Sequence, residues 1–283
     1  MKAAIQTQME HAPGSFCWIE LATTDERGAK RFYSDLFGWE AHDNPIGPGM
    51  IYTMLTMNGR VVGALYEKAE TMKDVPTQWM SYISVRSADE TAARAEALGG
   101  TIVQPSFDVM EQGRMAVVAD PTGAYFCIWQ PKQFQGVGMK GEFNSLCWSE
   151  LLTNDTERAK DFYTQLFSWK TKVEGGARPY TEWINGDEPV AGMLQIQPDM
   201  GPIPPNWGIY ISVDDCWAKV AKAKLLGARI YTPPTEISNV GRFAVLADPQ
   251  GAVFSIIELI SSQRSQRTVS QDGVRPSILR FHT

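Results

Sequence analysis

CWIELATTDERGAKRFYSDLFGW, residues 17–39, returns as CWSELLTNDTERAKDFYTQLFSW at 147–169, with 13 identities in 23 positions. Chance would give about one or two, so the chain carries an internal repeat. The copy extends further: WMSYISV (79–85) matches WGIYISV (207–213), and GRMAVVADPTG (113–123) matches GRFAVLADPQG (241–251) at 8 of 11 positions. The offset drifts only from 130 to 128, so the halves are nearly the same length. They fall at 1–131 and 142–260. The Pro- and Gly-containing stretch PKQFQGVGMKG (131–141) holds the linker, 132–141, which is expected to be exposed. The tail, 261–283, is expected to be a mobile end, with Ile278, Leu279 and Phe281 available to dock on a neighbour.

Within each half the hydrophobic period switches between two and 3.6. Residues 15–21 alternate as a strand. Thr23 and Glu26 then read as a capping box, and Ala29, Phe32, Tyr33, Leu36 and Phe37 share one helical face up to Gly38. Strand-like runs follow near 38–42, 50–57 and 61–67. The pattern restarts with a strand at 79–85, a helix at 88–98, and strands near 101–107, 114–119 and 124–130. Each half is thus βαβββ twice, an α+β fold. Asp25 and Asp155 sit where helix caps belong, and Asp120 and Asp248 sit in the DPTG and DPQG hairpin turns.

Composition narrows the function. At 283 residues the chain is long enough for two domains that each bury a core. Its 43% hydrophobic and 20% charged residues are those of a globular protein. A net charge of −6 disfavours a nucleic-acid or anionic-membrane surface. MKAAIQTQMEHAPGSF has no apolar signal core, and no run reaches membrane-spanning length, so a cytoplasmic location is expected. The four cysteines form no CxxC pair; Cys17 and Cys147 read as small core residues. The three histidines lie outside every repeated motif.

TTDERGAKRFYSDLFGW followed by GRMAVVADPTGA, twice over, resembles the vicinal-oxygen-chelate superfamily of glyoxalases, bleomycin-resistance proteins and extradiol dioxygenases. More narrowly, CW.EL.T.D is similar to its two-domain bacterial members. The resemblance implies tandem duplicated domains, in which pairs of βαβββ units form a curved sheet cup. It also implies where a divalent metal would be held. The first ligand position, fourteen residues before the helix Phe, corresponds to Trp18 and Trp148. The second corresponds to about Met80 and Gly208, and the last, four residues after the hairpin Gly, to Cys127 and Ser255. Indole only donates, and one thiol without nitrogen partners is a poor site, so no metal and no other cofactor is expected.

Side chains two apart on a strand share a face. If Trp18 and Trp148 look into the cups, so do Glu20 and Glu150. The same parity selects Met80, Tyr82, Tyr125 and Trp129, and in the second half Tyr210, Val253 and Ile257. The expected cup is aromatic, with a carboxylate near its floor. Trp18 and Trp148 could instead plug it, and Glu20 and Glu150 could be structural partners of Arg114 and Arg242.

Three functions follow. The first is a protein binding a small aromatic or hydrophobic molecule, as monomer or homodimer, without nucleic-acid or membrane partners. Its ligand contacts would come from Trp18, Met80, Tyr82, Tyr125, Trp129, Trp148, Tyr210, Arg114 and Arg242. The second is an isomerase-, lyase- or hydroxylase-type enzyme using Glu20 or Glu150 as catalytic base. The third is a divalent-metal-dependent enzyme of the glyoxalase or dioxygenase type.

Overall fold

The computed structural model describes residues 9–176 and 178–260. The docking residues suggested for the tail lie outside that range. The first half runs β1 (Phe16–Thr23), α1 (Glu26–Phe37), β2 (Glu40–Gly47), β3 (Met50–Met57), β4 (Arg60–Glu67), β5 (Gln78–Ser84), α2 (Ala88–Ala97), β6 (Thr101–Val109), β7 (Gly113–Ala119) and β8 (Tyr125–Pro131). The second half repeats it as β9 (Leu146–Thr153), α3 (Thr156–Phe167), β10 (Lys170–Glu174), β11 (Tyr180–Asn185), β12 (Glu188–Gln195), β13 (Asn206–Ser212), α4 (Cys216–Leu225), β14 (Arg229–Ile237), β15 (Gly241–Ala247) and β16 (Val253–Leu259). Each half closes its own eight-stranded mixed sheet, in the order β2-β3-β4-β1-β5-β8-β7-β6 and its repeat β10-β11-β12-β9-β13-β16-β15-β14. Each cup therefore forms inside one half.

The helix starts correct one expectation. Asp25 and Asp155 are the N-caps, their carboxylates accepting from the backbone N–H of Gly28 and Arg158 at 2.9 and 3.0 Å. Thr23 does not cap the helix; its hydroxyl oxygen accepts from Asp25 N–H. Gly38 ends α1 in the left-handed region at φ 76°, and Ser168 takes that place after α3 at φ 59°.

The halves do not keep separate cores. Phe32 and Tyr33 of α1 pack against Phe254 of β16, with ring centroids 6.2 and 5.7 Å apart, and Tyr163 of α3 lies 5.6 Å from Phe126 of β8. Two hydrogen bonds fix the arrangement: Tyr33 donates to Asp248 and Tyr163 to Asp120, both at 2.9 Å. Each aspartate also accepts from backbone N–H groups of its own turn, so the turn reading holds for both. The linker is not an exposed tether either. Val137 and Met139 are buried, and Val137 N–H donates to Cys17 C=O at 2.8 Å. A Cβ on Gly136 would stand 2.2 Å from that same oxygen, so this glycine permits close approach rather than flexibility.

Candidate functional site

Strand parity divides β1 between two environments. Ile19 and Leu21 enter the shared core, while Trp18 and Glu20 turn into the cup. Across the antiparallel neighbour, Trp18 faces Tyr82 and Glu20 faces Met80; in the second half, Trp148 faces Tyr210 and Glu150 faces Gly208. Parallel pairing sets Cys127 beside Tyr82 and Ser255 beside Tyr210. Tyr125 and Trp129 also line the N-terminal cup, Tyr125 at its open end and Trp129 buried. The residues of both cups line one continuous concavity of about 2440 Å³, larger than a single small ligand needs.

At the floor of the N-terminal cup, Tyr82 donates its hydroxyl to Glu20 Oε1 at 2.5 Å and Tyr52 donates to Oε2 at 2.8 Å. Trp18 Nε1 donates to the Tyr52 oxygen at 3.2 Å. The second cup repeats the network: Tyr210 donates to Glu150 Oε1 at 2.8 Å and Tyr180 to Oε2 at 3.0 Å, with Trp148 Nε1 on the Tyr180 oxygen at 2.9 Å. Trp18 and Trp148 are buried at the floor, where each indole N–H orients the tyrosine that holds the carboxylate.

The expected Arg–Glu pairs do not form. Arg114 pairs with Asp89 at 2.9 Å and Asp108 at 3.5 Å, and Arg242 with Glu236 at 2.6 Å and Glu258 at 3.5 Å. The reason is parity: Met115 and Val117 face the cup, which turns Arg114 to the opposite side of β7. Neither arginine lines the concavity. Among the described residues, no salt bridge reaches Glu20 or Glu150, and their partners are neutral hydroxyls. Burial pushes both carboxyls above their ordinary value of 4.5, against the opposing effect of the tyrosine hydrogen bonds. Burial likewise raises Tyr52, Tyr82, Tyr180 and Tyr210 well above the usual phenol range. It holds the Cys127 thiol well up and pushes Cys17 to about 12, so neither is an activated nucleophile.

Tyr52 and Tyr180 are the site residues that sequence reasoning missed. A signal was present: each opens a Tyr-Thr pair at the same 128-residue offset as the hairpin turns, on a strand of matching place.

Two family models match the chain. Residues 18–129 match a glyoxalase-like domain, and 145–256 match the glyoxalase/bleomycin resistance protein/dioxygenase superfamily. "Putative glyoxylase CFP32" of Mycobacterium tuberculosis is 37% identical over 253 residues, covering 88% of this chain and 96% of the relative. "Anthracycline biosynthesis protein DnrV" of Streptomyces peucetius is 34% identical over 265 residues, covering 88% and 94%. Among solved structures, the Mn(II)-bound glyoxalase of Novosphingobium aromaticivorans aligns with TM-score 0.62 at 16% identity, covering 87% of this chain and 82% of that one. The 2,3-dioxygenase LapB of Pseudomonas sp. KL28 aligns at 0.59 and 11%, covering 88% and 93%. These likenesses show the fold.

The fold family implies a divalent ion, and the residues here do not fit one. The three ligand places hold indole, thioether and thiol in one half, and indole, glycine and hydroxyl in the other. Among the described residues, no three His, Cys, Asp or Glu side chains converge. The carboxylate at the floor of each cup is already held by two tyrosines. No helix among the described residues is long and apolar enough to cross a membrane.

Proposed function

The chain belongs to the glyoxalase/bleomycin resistance protein/dioxygenase superfamily, and from that premise we propose that it binds a small aromatic molecule in a cup that works without a metal. The observation that carries this reading is the buried carboxylate between two tyrosine hydroxyls at the floor of an aromatic wall. Each carboxylate oxygen accepts one tyrosine proton and keeps a second acceptor site. A ligand hydroxyl or amine would supply the missing donor, while the rings of Trp18, Tyr52 and Trp129 would enclose its flat body. A protonated amine would also neutralise the buried charge and meet aromatic faces. The Streptomyces peucetius relative is named for anthracycline biosynthesis.

The test is titration of the purified chain with planar phenols and aromatic amines, following tryptophan fluorescence. Quenching that saturates, and that weakens in Glu20→Gln, is the expected result. A panel without any response would sink the reading.

One observation favours a second reading. A carboxyl held above its ordinary value beside hydroxyl groups is the setting of a general base. In that reading Glu20 or Glu150 takes a proton from an acidic C–H of the bound molecule and returns it at another carbon, giving an isomer. Deuterium uptake from D2O into a bound carbonyl compound, lost in the Gln variant while the fold persists, would distinguish catalysis from binding alone.

A further inference from the structure

The two cups share a floor but have parted company above it. Six of the chain's twelve methionines line the N-terminal cup: Met50, Met54, Met72, Met80, Met110 and Met115. The C-terminal cup is lined by Met200 alone among methionines. At the repeat offset of 128, Met80 becomes Gly208, Met115 becomes Phe243 and Trp129 becomes Ile257. Tyr66, which stacks 6.4 Å from Tyr52, becomes Leu194. Thioethers on unbranched stems rearrange around a guest at little cost, whereas Phe and Ile hold one shape.

The rims diverge in the same direction. Over the N-terminal cup, the β2–β3 hairpin presents Met50, half exposed, and the β6–β7 hairpin presents Phe107 and Met110, the latter 65% exposed. These hairpins are the two edges of one sheet, so apolar side chains reach over the cup from both sides. Exposed apolar groups clustered on a cavity mouth mark a contact surface. Their counterparts are Arg178, Thr235 and Ser238, with Arg178 paired to Asp199 at 2.6 Å.

Beneath the carboxylate-holding tyrosines, one place differs by a methyl group. Gly192 lies beneath Tyr180, so close that a Cβ there would stand 1.7 Å from the Tyr180 hydroxyl oxygen. The N-terminal cup has Ala64 at that place. Tyr180 is correspondingly buried, whereas Tyr52 keeps partial exposure.

We infer that the cups take different molecules, and that the N-terminal one is the site for a flat polycyclic aromatic. Its hydroxyl would lie on Glu20 and its far rings between Met50 and Met110. The C-terminal cup, which lacks the methionine lining and carries Arg178, Thr235 and Ser238 at the matching rim places beside Tyr231, takes a more polar guest. This inference rests on the binding reading above and adds to it which cup is used and how large the ligand is.

The probes are 2-naphthol, with two fused rings, and 1-hydroxypyrene, with four, each followed by its own fluorescence on the full chain. One equivalent of 1-hydroxypyrene is expected to bind, and more tightly than 2-naphthol. Met80→Trp fills the N-terminal cup and should weaken 1-hydroxypyrene by about tenfold or more, the scale of losing one apolar contact surface. Gly208→Trp fills the other cup, where a Cβ meets nothing closer than 3.7 Å, and should leave that affinity unchanged. Because a core substitution can disturb folding, the exposed double variant Met50→Ser/Met110→Ser is the second arm. It should weaken 1-hydroxypyrene several-fold and leave 2-naphthol as it was. Two equal sites, loss in Gly208→Trp instead, or an unaffected rim variant would each overturn the inference while leaving the binding reading intact. Failure of the wild-type chain to bind either probe overturns both.

Discussion

Replacing Glu20 by Gln separates what the carboxylate does for stability from what it does for binding, and the two effects have opposite signs. The side chain keeps its size. Its carbonyl oxygen still accepts from one tyrosine, and its amide donates to the other tyrosine oxygen, which turns its own proton away. Where Glu20 is ionised, two bonds to a charged acceptor, worth about 1.5–3 kcal/mol each, become neutral ones worth about 0.5–1.5, a loss of roughly 2 kcal/mol in all. Against this stands the burial of a charge with no cation beside it. The folded pKa of Glu20 lies above its ordinary value of 4.5, so burial outweighs the hydrogen bonds. For a raised carboxyl the contribution to stability is fully present below the unfolded value of 4.5 and is lost as pH rises through the folded value. Within that window the wild-type chain loses up to about 1.4 kcal/mol per pH unit from this group, while the Gln variant loses nothing there. Urea unfolding of both chains at intervals from pH 4 to 8 reads the difference, in which every other titrating group cancels. Expected is a variant close to the wild type at pH 4, where both side chains are neutral, that gains on it as pH rises and is the more stable chain above the folded pKa. Binding of 1-hydroxypyrene, whose hydroxyl would lie on Glu20, should fall by about tenfold or more in the same variant. A stability difference that does not change with pH, or one that grows against Gln as pH rises, would refute the account of an uncompensated buried carboxylate.

Other outcomes follow from the same geometry. Tyr33→Phe strips a partner from both Trp79 Nε1 and Asp248, each 2.9 Å from the lost hydroxyl, and should cost about 2–4 kcal/mol. Calorimetry should then show one cooperative transition at a lower temperature, since α1 belongs to the core of both halves; a separate early transition of one half would contradict the shared core. Arg114→Ala should leave ligand affinity unchanged, because the guanidinium faces Asp89 and solvent; lost binding would return it to the site. Mn(II), Zn(II) or EDTA should not move the unfolding temperature, and a rise with metal that EDTA reverses would show that the donor sets were misjudged.

How far the sequence alone reaches is clearest at β1. Period-two alternation and a repeat offset of 130 fix the strand, the helix after it, and the side of the sheet on which Trp18 and Glu20 stand, because these depend only on local geometry. The cap at Asp25 and the turns at Asp120 and Asp248 are legible for the same reason. What Glu20 touches is not. Its partners come from β3 and β5, brought beside it by strand order and by how far a tyrosine reaches across the cup, and neither is a property of neighbouring residues. Charge alone suggests Arg114 as the partner of Glu20, and tertiary structure sets it on the other face, against Asp89 and Asp108. Glycines in a linker suggest an exposed tether, yet Gly136 is what lets the chain lie against Cys17. Each half carries a complete pattern of elements, yet Tyr33 satisfies Asp248 and Tyr163 satisfies Asp120 across the repeat. Burial of α1 and α3 between the two sheets decided that, since a helix with one apolar face takes the surface that removes most of it from water.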